Sequence, residues 1–291
     1  MSDVASPAAS SLPQFPVDAA YSKPGPYAVT TGAVTAGPGD VIYLLYRPAD
    51  YAALGFKSPI ITWGNGTNAA PATYSTLLRH LASYGFTVIA STLANTGSGR
   101  QIGAAARYLV AQAATPNSAF DGNLDTSHIA AVGHSQGAGG ATRAATNDPA
   151  LITTLLTFSL PNTFWVAPNP DCPTRQDCMF DPAALTQPVF FISTHGLEDS
   201  VIASPETETA FYNSTTVQAA LGIIKDSGGA PADHDSIQDV ADGGHPQGEL
   251  GYATAWLAYQ LRGDAAASAA FIGPHPELTS NPNWPCSAAK S

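Results

Sequence analysis

The chain has 291 residues, 44% hydrophobic and only 11% charged, with a formal net charge of −11 and a pI near 4.8. So acidic a surface disfavours nucleic acid and anionic lipid as partners and suits small neutral ones. No run of 18 apolar residues exists, so no membrane-spanning helix is expected.

Residues 1–25 are rich in Pro, Ala and Ser without periodicity and read as a flexible N-terminal arm, leaving 26–291 as one domain. The start lacks the basic and apolar regions of a signal peptide and is compatible with a mature terminus bearing an added Met. "PYAVTTGAV", "VIYLLYR" and "PIITW" are short strands bounded by Gly or Pro. Tyr74, Leu77, Leu78 and Leu81 fall at helical spacing and predict a helix over 72–84, stopped by Gly85. "FTVIAST" is an unbroken apolar strand of the kind buried on both faces of a parallel sheet. "SGRQIGAAARYLVAQAA" follows as a helix and "HIAAVG" as a strand. Beyond it come a helix over 136–146, the strand "LLTFSL", an irregular loop over 162–187 and the strand "PVFFIST". A helix near 206–213, the strand "ALGIIKD" and a helix over 248–262 complete the series. Strands alternating with helices after a strand-only start predict a mainly parallel α/β sheet with antiparallel strands at one edge.

Between "HIAAVG" and the next helix stands Gly133-His134-Ser135-Gln136-Gly137. Neither helix nor strand favours this composition. A strained strand–turn–helix corner does, because side chains two positions either side of Ser135 would collide there. Such a corner lifts a hydroxyl clear of the sheet and aims helix amides at developing negative charge, so Ser135 is a candidate nucleophile. His134 points elsewhere and reads as structural.

A serine nucleophile needs a base, and the base an orienting carboxylate, in the chain order Ser, acid, His. The loop leaving "PVFFIST" offers Asp199, favoured, and Glu198. For the base, His234 follows "ALGIIKD" through a Gly/Pro loop; His245 in "DGGHPQG" is the alternative. Oxyanion donors are expected from the Gln136 amide and from "ITWGNGTN", where Gly64 permits close approach to substrate and the Asn65 amide, or that of Gly66, would donate. Their side chains would remain to shape the pocket.

Of three cysteines, Cys172 and Cys178 lie close together in "PDCPTRQDC", which suits a local disulfide and hence a secreted protein; Cys286 is left over. No zinc spacing is present.

"ITWGNGTN" with "LLRHLASYGFTVIAS", "AVGHSQGAGGA", "LEDSVIASP" and "GYATAWLAYQLRGD" together resemble the bacterial polyesterase and cutinase-like α/β-hydrolases. That group includes poly(ethylene terephthalate) hydrolases, with chlorophyllase-like and dienelactone-hydrolase-like relatives. The resemblance implies an α/β-hydrolase fold without a large lid domain and a monomeric carboxylic-ester hydrolase acting on small or polymeric esters with no cofactor or metal. It implies Ser135, Asp199 and His234 as the triad, Asn65 and Gln136 as oxyanion donors, and Trp165 as a wall of the cleft. Members usually carry an aromatic where Asn65 stands and Met where Gln136 stands, so a weakened clamp for a flat polymer unit is expected. The alternatives are an acyltransferase on the same scaffold, a short-chain esterase without polymer activity, and a binding module that has kept the fold.

Overall fold

The computed structural model describes residues 14–37, 39–239 and 246–291. Residues 1–13 lie outside the described residues, but Pro16–Tyr21 form helix α1 with Val17 and Tyr21 buried. Glu277, from the far end of the chain, accepts the Val17 and Asp18 amides at 2.9 Å each, filling the orphan donors of its first turn.

The strand-only start gives β1 (Val29–Ala36) and β2 (Val41–Pro48), paired antiparallel. The first β–α unit follows as β3 (Ser58–Gly64), α2 (Ser75–Ser83) and β4 (Thr87–Ser91). The helix expected from residue 72 begins as a 3₁₀ turn over Pro71–Tyr74, Pro71 being suited to a first helical position. Next are α3 (Arg100–Ala113), β5 (Leu124–His134), α4 (Gln136–Asn147) and β6 (Thr154–Phe158). An irregular segment with short 3₁₀ turns leads to β7 (Val189–Thr194), α5 (Asp199–Ile202), α6 (Pro205–Ser214) and β8 (Ala219–Ile224). A small hairpin, β9 (Asp226–Ser227) and β10 (Ala230–Pro231), precedes α7 (Gln247–Arg262), α8 (Ala265–Ser268) and β11 (Ala288–Lys290).

The main sheet has the order β1-β2-β4-β3-β5-β6-β7-β8-β11. Pairing is parallel from β4 through β8 and antiparallel at both edges. The far edge was not legible in the sequence: β11 returns along β8 with Ala288 opposite Leu221. Every residue of β3, β4, β6, β7 and β8 is buried, as unbroken apolar strands covered on both faces require. One core packs α2 and α7 against one face, with Trp256 donating to the Leu155 carbonyl at 3.0 Å; a second packs α3 and α4 against the other. No separate large domain interrupts this arrangement, and the carboxyl ends of β3, β5, β7 and β8 all open on one rim.

Candidate active site

Ser135 sits where β5 turns into α4, with φ +52° and ψ −123°. The flanking glycines are sterically required. A Cβ on Gly133 would lie 2.3 Å from the Gly137 carbonyl oxygen, and one on Gly137 would lie 2.2 Å from that of Gly64. Gly64 therefore serves to bring β3 against the corner; it is buried and lines neither cleft beside Ser135.

Three residues from three loops meet here. Ser135 Oγ lies 3.0 Å from His234 Nε2, and His234 Nδ1 lies 2.7 Å from Asp199 Oδ1. Asp199 is fully buried, and its Oδ2 accepts from Ser159 Oγ and Thr194 Oγ1 at 2.8 Å and from Ser193 Oγ and the Thr194 amide at 3.1 Å. Burial opposes its charge, but the His234 hydrogen bond and charge, then the Ser159 and Thr194 hydroxyls, outweigh burial and hold its pKa below the ordinary carboxylate value. His234 is likewise opposed by burial, yet the Asp199 bond and charge, reinforced by Asp235 and Glu198, raise its pKa above the ordinary imidazole value. Glu198, the alternative acid, is exposed at the start of α5; its amide, not its carboxylate, is engaged, donating to Asp233 Oδ1 at 3.0 Å. His245, the alternative base, lies outside the described residues.

Asn65 is fully buried. Its side chain accepts from Trp63 Nε1 at 3.0 Å and donates to the Ser91 and Leu93 carbonyls at 2.7 and 3.0 Å, so the side chain turns inward and lines neither cleft beside Ser135. The Gly66 amide is taken by Tyr74 Oη at 3.0 Å. Thr67, overlooked in the sequence, is exposed and lines both clefts beside Ser135. Gln136, at the first position of α4, accepts the Thr96 and Gly97 amides on its side-chain oxygen at 3.0 and 3.2 Å, which ties the 95–97 loop to the corner.

Ser135 borders two clefts. One, of about 320 Å³, is walled by Trp165, Val166, Pro168, Phe180 and Ile202, with Thr67, Asn95 and Gln136 as its polar part. Trp165 is 47% exposed and anchored by its indole N–H to the Val201 carbonyl at 2.9 Å, which makes it a wall rather than a core aromatic. The other cleft, of about 410 Å³, is lined by His234 with Thr67, Asn68, Thr73, Glu198, Asp235 and Gln238.

The segment over the first cleft is held by a Cys172–Cys178 disulfide, and Cys178 itself lines the cleft. Asp171 pins the same segment to the start of α3, accepting from the Ser98 amide at 2.7 Å and Gln101 Nε2 at 2.8 Å. Cys286 is a free, exposed thiol.

Among the described residues two clusters bring ligand-type atoms together, and neither fits a metal. In His134, His234 and Asp235, both ring nitrogens of each histidine already carry hydrogen bonds. In Asp171, Cys172 and Cys178, the sulfurs are bonded to each other. No helix among the described residues is long and apolar enough to cross a membrane.

No curated protein matches the chain. A family model described as PET hydrolase-like matches residues 13–241, well over half of the chain and all of the elements that carry Ser135, Asp199 and His234. That is a hydrolase family of α/β-hydrolase fold, the architecture described above. The chain belongs to the PET hydrolase-like family.

Proposed function

We propose that the protein is a serine carboxylic-ester hydrolase. The observation that carries this reading is the unbroken hydrogen-bond chain from Asp199 Oδ1 through His234 to Ser135 Oγ, ending at the floor of an open cleft. In the proposed reaction His234 Nε2 takes the Ser135 proton while Oγ attacks the ester carbonyl. Asp199 holds the ring by its Nδ1–H and stabilises the imidazolium that forms. The oxyanion is received by the Gln136 amide at the start of α4 and by the Thr67 amide, in place of the expected Asn65. The imidazolium then gives its proton to the departing alcohol, and water repeats the sequence on the acyl-enzyme.

The two clefts support an orientation for the ester. His234 lines only the polar one, so the alcohol that takes its proton leaves on that side. The acyl part then lies against Trp165, Pro168 and Phe180. Trp165 offers one flat aromatic wall, worth about 0.5–1.5 kcal/mol beyond area burial. Soluble esters are the proposed good substrates and an aromatic polyester film a slow one. The disulfide supports secretion into an oxidising compartment. The three reacting side chains come from one chain, so the proposed chemistry requires no residue of a second subunit.

Purified Ser135→Ala tests the reading. Its turnover of a short-chain ester is expected to fall by roughly 10⁴ to 10⁶ with the fold intact. Retention of near-normal turnover would remove Ser135 from the chemistry. A panel varying the acyl and alcohol halves separately should show apolar acyl groups and polar alcohols preferred.

A further inference from the structure

A second histidine lies against the first, and the reaction above does not use it. His134 is buried, its ring centroid 4.8 Å from that of His234. Its Nε2 is 2.9 Å from the His234 main-chain oxygen, and its Nδ1 is 2.9 Å from Tyr74 Oη. Tyr74 is fully buried, packs on Trp63 with ring centroids 4.7 Å apart, and receives the Gly66 amide at 3.0 Å.

Counting hydrogens leaves one arrangement. A carbonyl oxygen only accepts, so Nε2 of His134 carries a proton. Burial, and then the neighbouring His234 charge, push the His134 pKa down to about 3, so the ring is neutral and Nδ1 is an acceptor. The Tyr74 hydroxyl must therefore donate to Nδ1, which leaves its oxygen free to accept from Gly66. Burial and then the charge of Asp235 keep that phenol protonated, although the Gly66 contact pulls the other way. Every link points from the loop after β3 towards the proposed base.

Resting on the ester-hydrolase reading above, we infer that Tyr74 and His134 are positioning residues. They form a buried relay that fixes the main chain of the proposed base to the loop carrying the proposed second oxyanion donor: Gly66 N–H to Tyr74 Oη, Tyr74 O–H to His134 Nδ1, His134 Nε2–H to the His234 carbonyl. Thr67 directly follows Gly66, so the relay sets the distance between oxyanion donor and base. Two further features tighten it. The His234 amide is held from its other side by Asp233 Oδ1 at 2.9 Å. A Cβ on Gly66 would lie 2.8 Å from His134 Nδ1 and 2.9 Å from Tyr74 Oη, so the relay closes only over glycine.

Tyr74→Phe keeps the ring packing and removes both hydroxyl bonds. Its kcat for a short-chain ester is expected to fall about 10- to 100-fold, the effect of a small misplacement of reacting groups. KM should stay within about twofold, since Tyr74 lines neither cleft. Fluorophosphonate should still label Ser135 fully in the variant, but more slowly. A folded Tyr74→Phe protein with wild-type kcat, or with only KM changed, would overturn the relay. Failure of the wild-type protein to label at Ser135 would instead overturn the ester-hydrolase reading. Should the variant not fold, ¹⁵N-histidine NMR of the wild-type chain decides the question. His134 should be the neutral Nε2–H tautomer with no titration from about pH 5 to 9, across the ordinary histidine range. An Nδ1–H tautomer, or a titration in that range, would overturn the relay.

Discussion

Gly137 meets Gly64 with no room for a side chain: a Cβ on Gly137 would lie 2.2 Å from the Gly64 carbonyl oxygen. The contact locks the first turn of α4 against the end of β3 and so fixes where the Gln136 amide points. Gly137→Ala must move one main chain or the other. We predict a loss of roughly 1–3 kcal/mol, the usual cost of overpacking, together with a fall in kcat. Thermal unfolding and ester hydrolysis on the same preparation check this. Unchanged stability with unchanged kcat would mean that the corner is not rigid.

Asp199 and Glu198 are adjacent, yet one is buried against His234 and the other is exposed. Asp199→Asn should lower kcat by about 10⁴, as loss of the ring's carboxylate partner does in a serine triad. Glu198→Gln should stay within a few-fold of wild type. Parallel kinetics on the two variants would expose a wrong assignment by reversing that order.

The pH behaviour follows from two histidines shifted in opposite directions. His234 must be neutral to accept the Ser135 proton, and its pKa is raised, so kcat/KM should climb with a midpoint above 6.5. Its share of stability is fully present below its unfolded value of about 6.5 and is lost as pH rises through the folded value. His134 is depressed to about 3, so its neutral burial costs stability as pH falls below about 6.5 towards that value. Stability from these two groups should therefore peak near pH 6.5, below the activity optimum. Asp18 and Glu249, raised by burial to about 6 and about 7, also lose stability as pH rises through those values and move the melt maximum lower still, so thermal melts and kcat/KM across about pH 4 to 9 should give two displaced maxima. Coincident maxima would contradict the assignment.

Much of this was legible in the sequence, and the reasons are local. Gly133 and Gly137 flank Ser135 because the corner itself demands it, and that demand shows in a pentapeptide. The alternation of apolar strands and helical spacing yielded the parallel sheet for similar reasons. What stayed hidden depends on partners distant in the chain. Helix α1 has few apolar anchors of its own and is completed by Glu277. Strand β11 exists only because β8 offers an open edge. Asn65 looked available for substrate because nothing in "WGNGT" reveals that the Ser91 and Leu93 carbonyls draw its side chain inward. Tyr74 read simply as one residue of an apolar stripe, and its hydroxyl's use by Gly66 and His134 has no sequence signature.

The Cys172–Cys178 bridge closes a loop with a sequence separation of 6, for which the chain-entropy account gives only about 2 to 3 kcal/mol. Its larger expected effect is on the cleft, because Cys178 lines it. Replacing both cysteines by serine should lower the melting temperature modestly and raise KM for bulky acyl esters more than for acetyl esters. Equal KM changes for both would show that the segment does not shape the acyl site.

Active-site titration decides whether Ser135 is the nucleophile of an ester hydrolase. The full-length protein is treated with a fluorophosphonate while turnover of a short-chain ester is followed, and the modified peptide is then located by mass spectrometry. One phosphonyl group per chain is expected, on Ser135, with activity lost in proportion to labelling. Hydrolysis that persists after Ser135 is fully modified, or a label on a different residue that tracks the loss of activity, would contradict it.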